Sequence, residues 1–120
     1  MLIQGPLGLN WKNRKWGLFP RIENADIRRN SPPTPDRVDL WVKAGVHVKN
    51  CPQWRFVKIH THGTQEGDMD TLLGKPVDDM FSYLEQNYND GKQYVLHYVS
   101  ASKSIPLTFQ GHEFIRAPLP

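Results

Sequence analysis

Cysteine is nearly absent: Cys51 stands alone in 120 residues, which rules out an internal disulfide and a cysteine-based zinc site. Cys51 precedes Pro52 outside any site pattern and reads as an inert thiol. No run approaches the about 18 consecutive apolar residues of a membrane-spanning helix. The opening MLIQGPLGLNW is mildly apolar, but Gly5, Pro6 and Gly8 interrupt it before a signal-peptide core develops. These absences predict a soluble, cytoplasmic chain with no membrane partner. Net charge is also small, +3 from 15 Lys plus Arg against 12 Asp plus Glu. Lys12, Arg14 and Lys15 cluster beside Trp11 and Trp16, with Arg28 and Arg29 following, a combination that can grip phosphates and stack on bases. No recognition helix, zinc-finger spacing or RNA-binding signature accompanies it, so no nucleic-acid partner is expected.

What remains is enough for one domain with a modest core, since 38% of the side chains are hydrophobic. Residues 1–33 form an irregular apolar and basic lead-in, broken by Gly5, Pro6, Gly8, Gly17 and Pro20 and closed by RRNSPP. Trp11, Trp16, Leu18 and Phe19 are too apolar for a free tail and are expected to pack against something, such as a part of a larger protein. Residues 34–100 read as an α-β-α-β core. In TPDRVDLWVKAG, Thr34 can cap, Pro35 suits the first helical position, and Val38, Trp41 and Val42 form a core stripe. Gly45 offers a left-handed stop. WRFVKIH, residues 54–60, reads as a strand with large apolar groups on both sides. After a polar loop, GKPVDDMFSYLEQNY predicts a helix burying Val77, Met80, Phe81 and Leu84, and QYVLHYVS a second strand. One right-handed crossover of this kind implies parallel pairing. Residues 101–120 read as a divergent, irregular tail.

The chemistry concentrates in FVKIHTHG, residues 56–63. In parallel sheets ligands meet the carboxyl ends of strands, where this reading puts His60 and His62. Two imidazoles one residue apart share a side and can reach one divalent ion, zinc or similar, or carry protons. The following TQEGDMD brings Glu66, Asp68 and Asp70 close enough to complete a carboxylate–histidine set. Glu23 and Asp26, in PRIENADI, are the best carboxylates elsewhere; they assist a site or order a turn. His97 reads as structural and the tyrosines as packing residues. Trp16 and Trp54 are the aromatic candidates for a carbohydrate surface, and a non-enzymatic carbohydrate-binding or interaction module is the competing reading.

GPLGLNW, KWGLFPRIENADI, PPTPDRVDLWVKAGVHV, WRFVKIHTHG and NYNDGKQYVLHYVSA together resemble the C-terminal part of bacterial polysaccharide deacetylase-like proteins. These belong to the glycoside hydrolase/deacetylase superfamily, and the likeness runs from about residue 3 to about residue 101. It implies an α/β fold, a partial, distorted (β/α) barrel lacking its first half. It also implies deacetylation of an acetylated sugar with a divalent metal held by an aspartate and two histidines. His60, with His62 as the alternative, matches the late-strand histidine that protonates the leaving group, and Asp68, Asp70 and Glu23 are supporting candidates. Thr61 stands where an acidic residue would follow. The early aspartate pair and the metal-helix histidines four apart are missing. The chain is therefore expected to lack turnover by itself and to need a missing half-domain or partner chain.

Overall fold

The computed structural model describes residues 5–63, 65–98 and 115–116. The lead-in region holds more order than its glycines and prolines suggest. LGLNWKNRK forms β1 (Leu7–Lys15) and FPRIEN forms β2 (Phe19–Asn24), an antiparallel hairpin with Leu9 opposite Ile22 and Gly8 opposite Glu23. Trp16 at φ 55 and Gly17 at φ 74 supply the left-handed residues of its turn. Alternation turns Asn10 and Glu23 inward, and both are buried, while Leu7, Leu9 and Ile22 face out.

Helix α1 (Pro35–Lys43) begins where proline and an acidic first turn favour it. The Thr34 side chain makes no capping bond; its carbonyl accepts the Val38 N–H at 3.0 Å. Val38, Trp41 and Val42 are buried as the spacing predicts. The helix closes at Ala44, and Gly45 is not left-handed. A Cβ at Gly45 would lie 2.7 Å from Arg55 Cγ and 3.1 Å from the Phe56 carbonyl oxygen, so this glycine permits close approach of the next strand pair.

That pair is β3 (Val46–Val48) and β4 (Cys51–Phe56), an antiparallel hairpin turning at Asn50, φ 67. The strand expected over 54–60 therefore starts earlier and leaves its ladder after Phe56. The expected polar loop holds a 3-10 turn, Glu66–Asp68, and a short helix α2 (Met69–Leu72). Helix α3 (Lys75–Asn87) follows, with Pro76 in its first turn and Met80 fully buried. Phe81, predicted to be buried, is 36% exposed.

Short strands β5 (Val95–Leu96) and β6 (Ile115–Arg116) complete a four-stranded sheet of order β3-β4-β6-β5, antiparallel at every step. This corrects the expected parallel pairing. β4 and β5 do run the same way, as a helical crossover dictates, but a strand from the tail lies between them. The rest of that tail, 99–114 and 117–120, falls outside the described residues.

Ala25, Ile27, Val38, Trp41, Val42 and Met80 form the core, with Val57, Leu84, Tyr88 and Leu96 among the partly buried residues packed on it. Each fully buried large apolar side chain contributes about 1.5–3 kcal/mol. Between α1, α3 and residues 57–59 lies a small apolar groove lined by Trp41, Val57, Ile59, Phe81, Leu84 and Tyr98 among others. Among the described residues no helix is long and apolar enough to cross a membrane.

Candidate metal centre

Ala25, Asp26 and Ile27, just beyond β2, are all buried, so their backbone groups need partners inside the protein. Residue 60 provides them. The Ile27 N–H donates to the His60 carbonyl at 2.9 Å and the His60 N–H donates to the Ala25 carbonyl at 3.0 Å. This isolated parallel bridge between Asp26 and His60 fixes the start of the HTHG segment beside the Asp26 carboxylate. His62 lies two residues on, its ring centroid 5.4 Å from that of His60 and nearly perpendicular to it, at 86°.

One ligand atom from each of Asp26, His60 and His62 lies within 4.8 Å of the others. Asp26 is 2% exposed, His60 half-buried and His62 exposed. Asp26 Oδ2 receives Arg28 Nη2 at 2.5 Å and lies 4.0 Å from His62 Nε2. That last distance exceeds hydrogen-bond range, so no direct carboxylate–imidazole bond locks the pair. Asp26 Oδ1 is buried and has no hydrogen-bond partner among the described residues. An orphaned buried oxygen of this kind costs about 1–3 kcal/mol, and more on a charged group. A carboxylate oxygen with two imidazole nitrogens is a donor set suited to zinc and neighbouring divalent transition ions. The residues thus fit such an ion, and a cation on Oδ1 would remove the orphan.

Arg37, absent from the sequence reading, positions the centre from behind. Its guanidinium donates to the carbonyls of Asp26 at 2.8 Å, Asn24 at 3.1 Å, Ser31 at 2.6 Å and Pro32 at 2.8 Å, and to Glu23 Oε1 at 2.8 Å. Its only sequence signal is a place beside the apolar stripe of α1.

Glu23, a supporting candidate, is engaged otherwise. Besides Arg37, Oε1 accepts the Trp41 indole N–H at 3.1 Å and Oε2 accepts from Asn10 Nδ2 at 3.4 Å, so it clamps the hairpin to α1. Asp68 is buried, and its Oδ1 accepts the Arg29 N–H at 2.9 Å. It braces the loop that follows Asp26 and is not one of the three clustered groups. Glu66 and Asp70 are exposed and also stand outside the cluster. Trp16 is at the hairpin tip, and Trp54 on β4 lies against His97 with centroids 6.1 Å apart. Neither His60 nor His62 lines the apolar groove. Spacing brought the histidines together on the page; the fold adds Asp26, which the sequence left undecided between a site role and a turn role.

Comparison of the chain with family models, with curated proteins and with solved structures gave no match.

Proposed function

We propose that this chain is part of a metal-dependent hydrolase that removes acetyl groups from a carbohydrate, a distorted (β/α) barrel of the polysaccharide deacetylase type completed by a partner segment or chain. The observation that carries the reading is the buried Asp26 carboxylate, one oxygen of which has no hydrogen-bond partner among the described residues, with a ligand atom within 4.8 Å of those of two imidazoles. A divalent cation held there supplies Lewis-acid polarisation of an acetyl carbonyl and activates water. The chain's own residues do the rest. Asp26 brings negative charge into a dry setting, Arg28 and Arg37 fix the carboxylate and its backbone, the bridge to residues 25 and 27 fixes His60, and exposed His62 faces incoming substrate.

One carboxylate and two imidazoles are the donor kinds that the resemblance implies, at a different spacing. The carbohydrate assignment rests on that resemblance. The partner reading is supported by the groove between α1, α3 and residues 57–59, an apolar surface into which a further element could pack.

Acetate release from N-acetylglucosamine oligomers tests the reading. We expect no release from the chain alone and, once the completing segment or chain is supplied, release that a chelator stops and that falls about two orders of magnitude in His60→Gln. Release indifferent to both chelator and substitution, or no release from the zinc-loaded, completed assembly, rejects the hydrolase.

A further inference from the structure

The β1–β2 hairpin has its polarity reversed for a free surface. Polar Asn10 and Glu23 point inward, whereas Leu7, Leu9 and Ile22 form a continuous outer apolar face, with Ile22 73% exposed. At the hairpin turn Trp16 is 80% and Leu18 74% exposed, with Phe19 beside them. Contiguous exposed apolar surface of this kind marks an interaction site.

Charge narrows the partner. The first 22 positions contain Lys12, Arg14, Lys15 and Arg21 and no Asp or Glu. Lys12 is matched by Asp36 of α1 at 2.6 Å. Arg14 and Lys15 instead lie over the rings of Trp11 and Trp16, 5.8 and 5.0 Å from the centroids. A second copy laid face to face would bring cations against cations, so the complementary partner is anionic. Nucleic acid or sugar would use the aromatic planes but leave the exposed aliphatic Leu18 between Trp16 and Phe19 unsatisfied. An exposed apolar turn flanked in sequence by Arg14, Lys15 and Arg21 matches the headgroup–acyl boundary of a bilayer, where long basic side chains reach phosphate while their stems and the aromatic rings enter hydrocarbon.

We propose that the hairpin is a peripheral docking element for an anionic membrane surface, inserting Trp16, Leu18 and Phe19 while Arg14, Lys15 and Arg21 meet lipid phosphates. The expectation of no membrane partner rested on the lack of a spanning segment, which a peripheral contact does not require. This inference is independent of the metal centre.

Sedimentation of the full chain with unilamellar vesicles tests it. Binding is expected to phosphatidylcholine vesicles containing phosphatidylglycerol, with a blue shift of tryptophan emission, and to weaken as salt rises. Pure phosphatidylcholine should bind far less. Trp16→Ser with Leu18→Ser, both exposed and therefore expected to leave the melting temperature unchanged, should weaken binding about tenfold or more. Arg14→Gln with Lys15→Gln should weaken it about thirtyfold. The proposal falls if the anionic vesicles are not bound at low salt, or if neither variant pair changes binding. Self-association lost in Trp16→Ser with Leu18→Ser, without vesicle binding, would overturn it in favour of a second copy. Polyglutamate binding without a blue shift would overturn it in favour of an acidic polypeptide.

Discussion

Arg28 and His62 converge on one oxygen of Asp26: the guanidinium at 2.5 Å and the imidazole nitrogen at 4.0 Å both face Oδ2. Oδ1 is left buried and uncommitted. Asp26→Asn should therefore change the metal-free melting temperature little, because it removes a charge that the fold satisfies only in part. It should abolish stabilisation by zinc. At a free zinc concentration 100 times the dissociation constant, the parent chain gains about 2.7 kcal/mol, read as an upward shift in thermal unfolding that the variant lacks. An equal shift in both chains would move the ion elsewhere.

Glu23 and Arg37 make the main buried ion pair of the hairpin–helix junction, and both are less than a tenth exposed. Glu23→Ala strands a buried guanidinium and should cost about 3–5 kcal/mol in urea unfolding. Glu23→Gln retains an acceptor for Arg37 and Trp41 and should cost clearly less. Equal losses would mean that packing, not the carboxylate, sets the effect.

Gly74 precedes α3 with no room for a side chain, because a Cβ there would stand 2.2 Å from the Asp70 carbonyl oxygen. Gly74→Ala should destabilise by about 1–3 kcal/mol as backbone shifts to relieve the clash. Gly67, with nothing within 4 Å of the same position, is the control; Gly67→Ala should stay within about 0.5 kcal/mol.

Stability should decline at both ends of the pH scale for different reasons. The Asp90 carboxylate accepts the N–H groups of Tyr94, Lys92 and Gln93, which hold its pKa below the ordinary 3.8. A lowered folded value gives stability present above the unfolded pKa and lost as pH falls through the folded one. Burial, then the hydrogen bond to Asp39, raises the Tyr88 phenol above the ordinary 10.0, and burial with Glu85 pushes Tyr98 up to about 12. Raised values give stability present below 10.0 and lost as pH climbs through the folded values. Unfolding midpoints across pH should show Asp90→Asn flattening the acid limb and Tyr88→Phe the alkaline one.

Both long helices were legible because their signals are local. Pro35 and Pro76 mark the starts, and the spacing of Val38, Trp41 and Val42 and the place of Met80 mark the buried faces. Pairing was not legible. The β3–β4 turn depends on Asn50 adopting a left-handed conformation, and β6 comes from a tail with no strand pattern, so the expected neighbour of β4 was displaced. The histidine pair could be seen in the text of the chain, but its carboxylate could not. Proximity along the sequence favoured Glu66, Asp68 and Asp70, whereas backbone pairing of residues 25 and 27 with His60 brings in Asp26 from before α1.

Zinc competition against a chromophoric chelator, run on the parent chain and on Asp26→Asn, His60→Gln and His62→Gln, decides whether these three side chains hold an ion. One ion per chain is expected, bound more tightly than millimolar, with each substitution weakening it by about tenfold or more. Binding that is absent from the parent chain, or undiminished in all three variants, contradicts the metal centre.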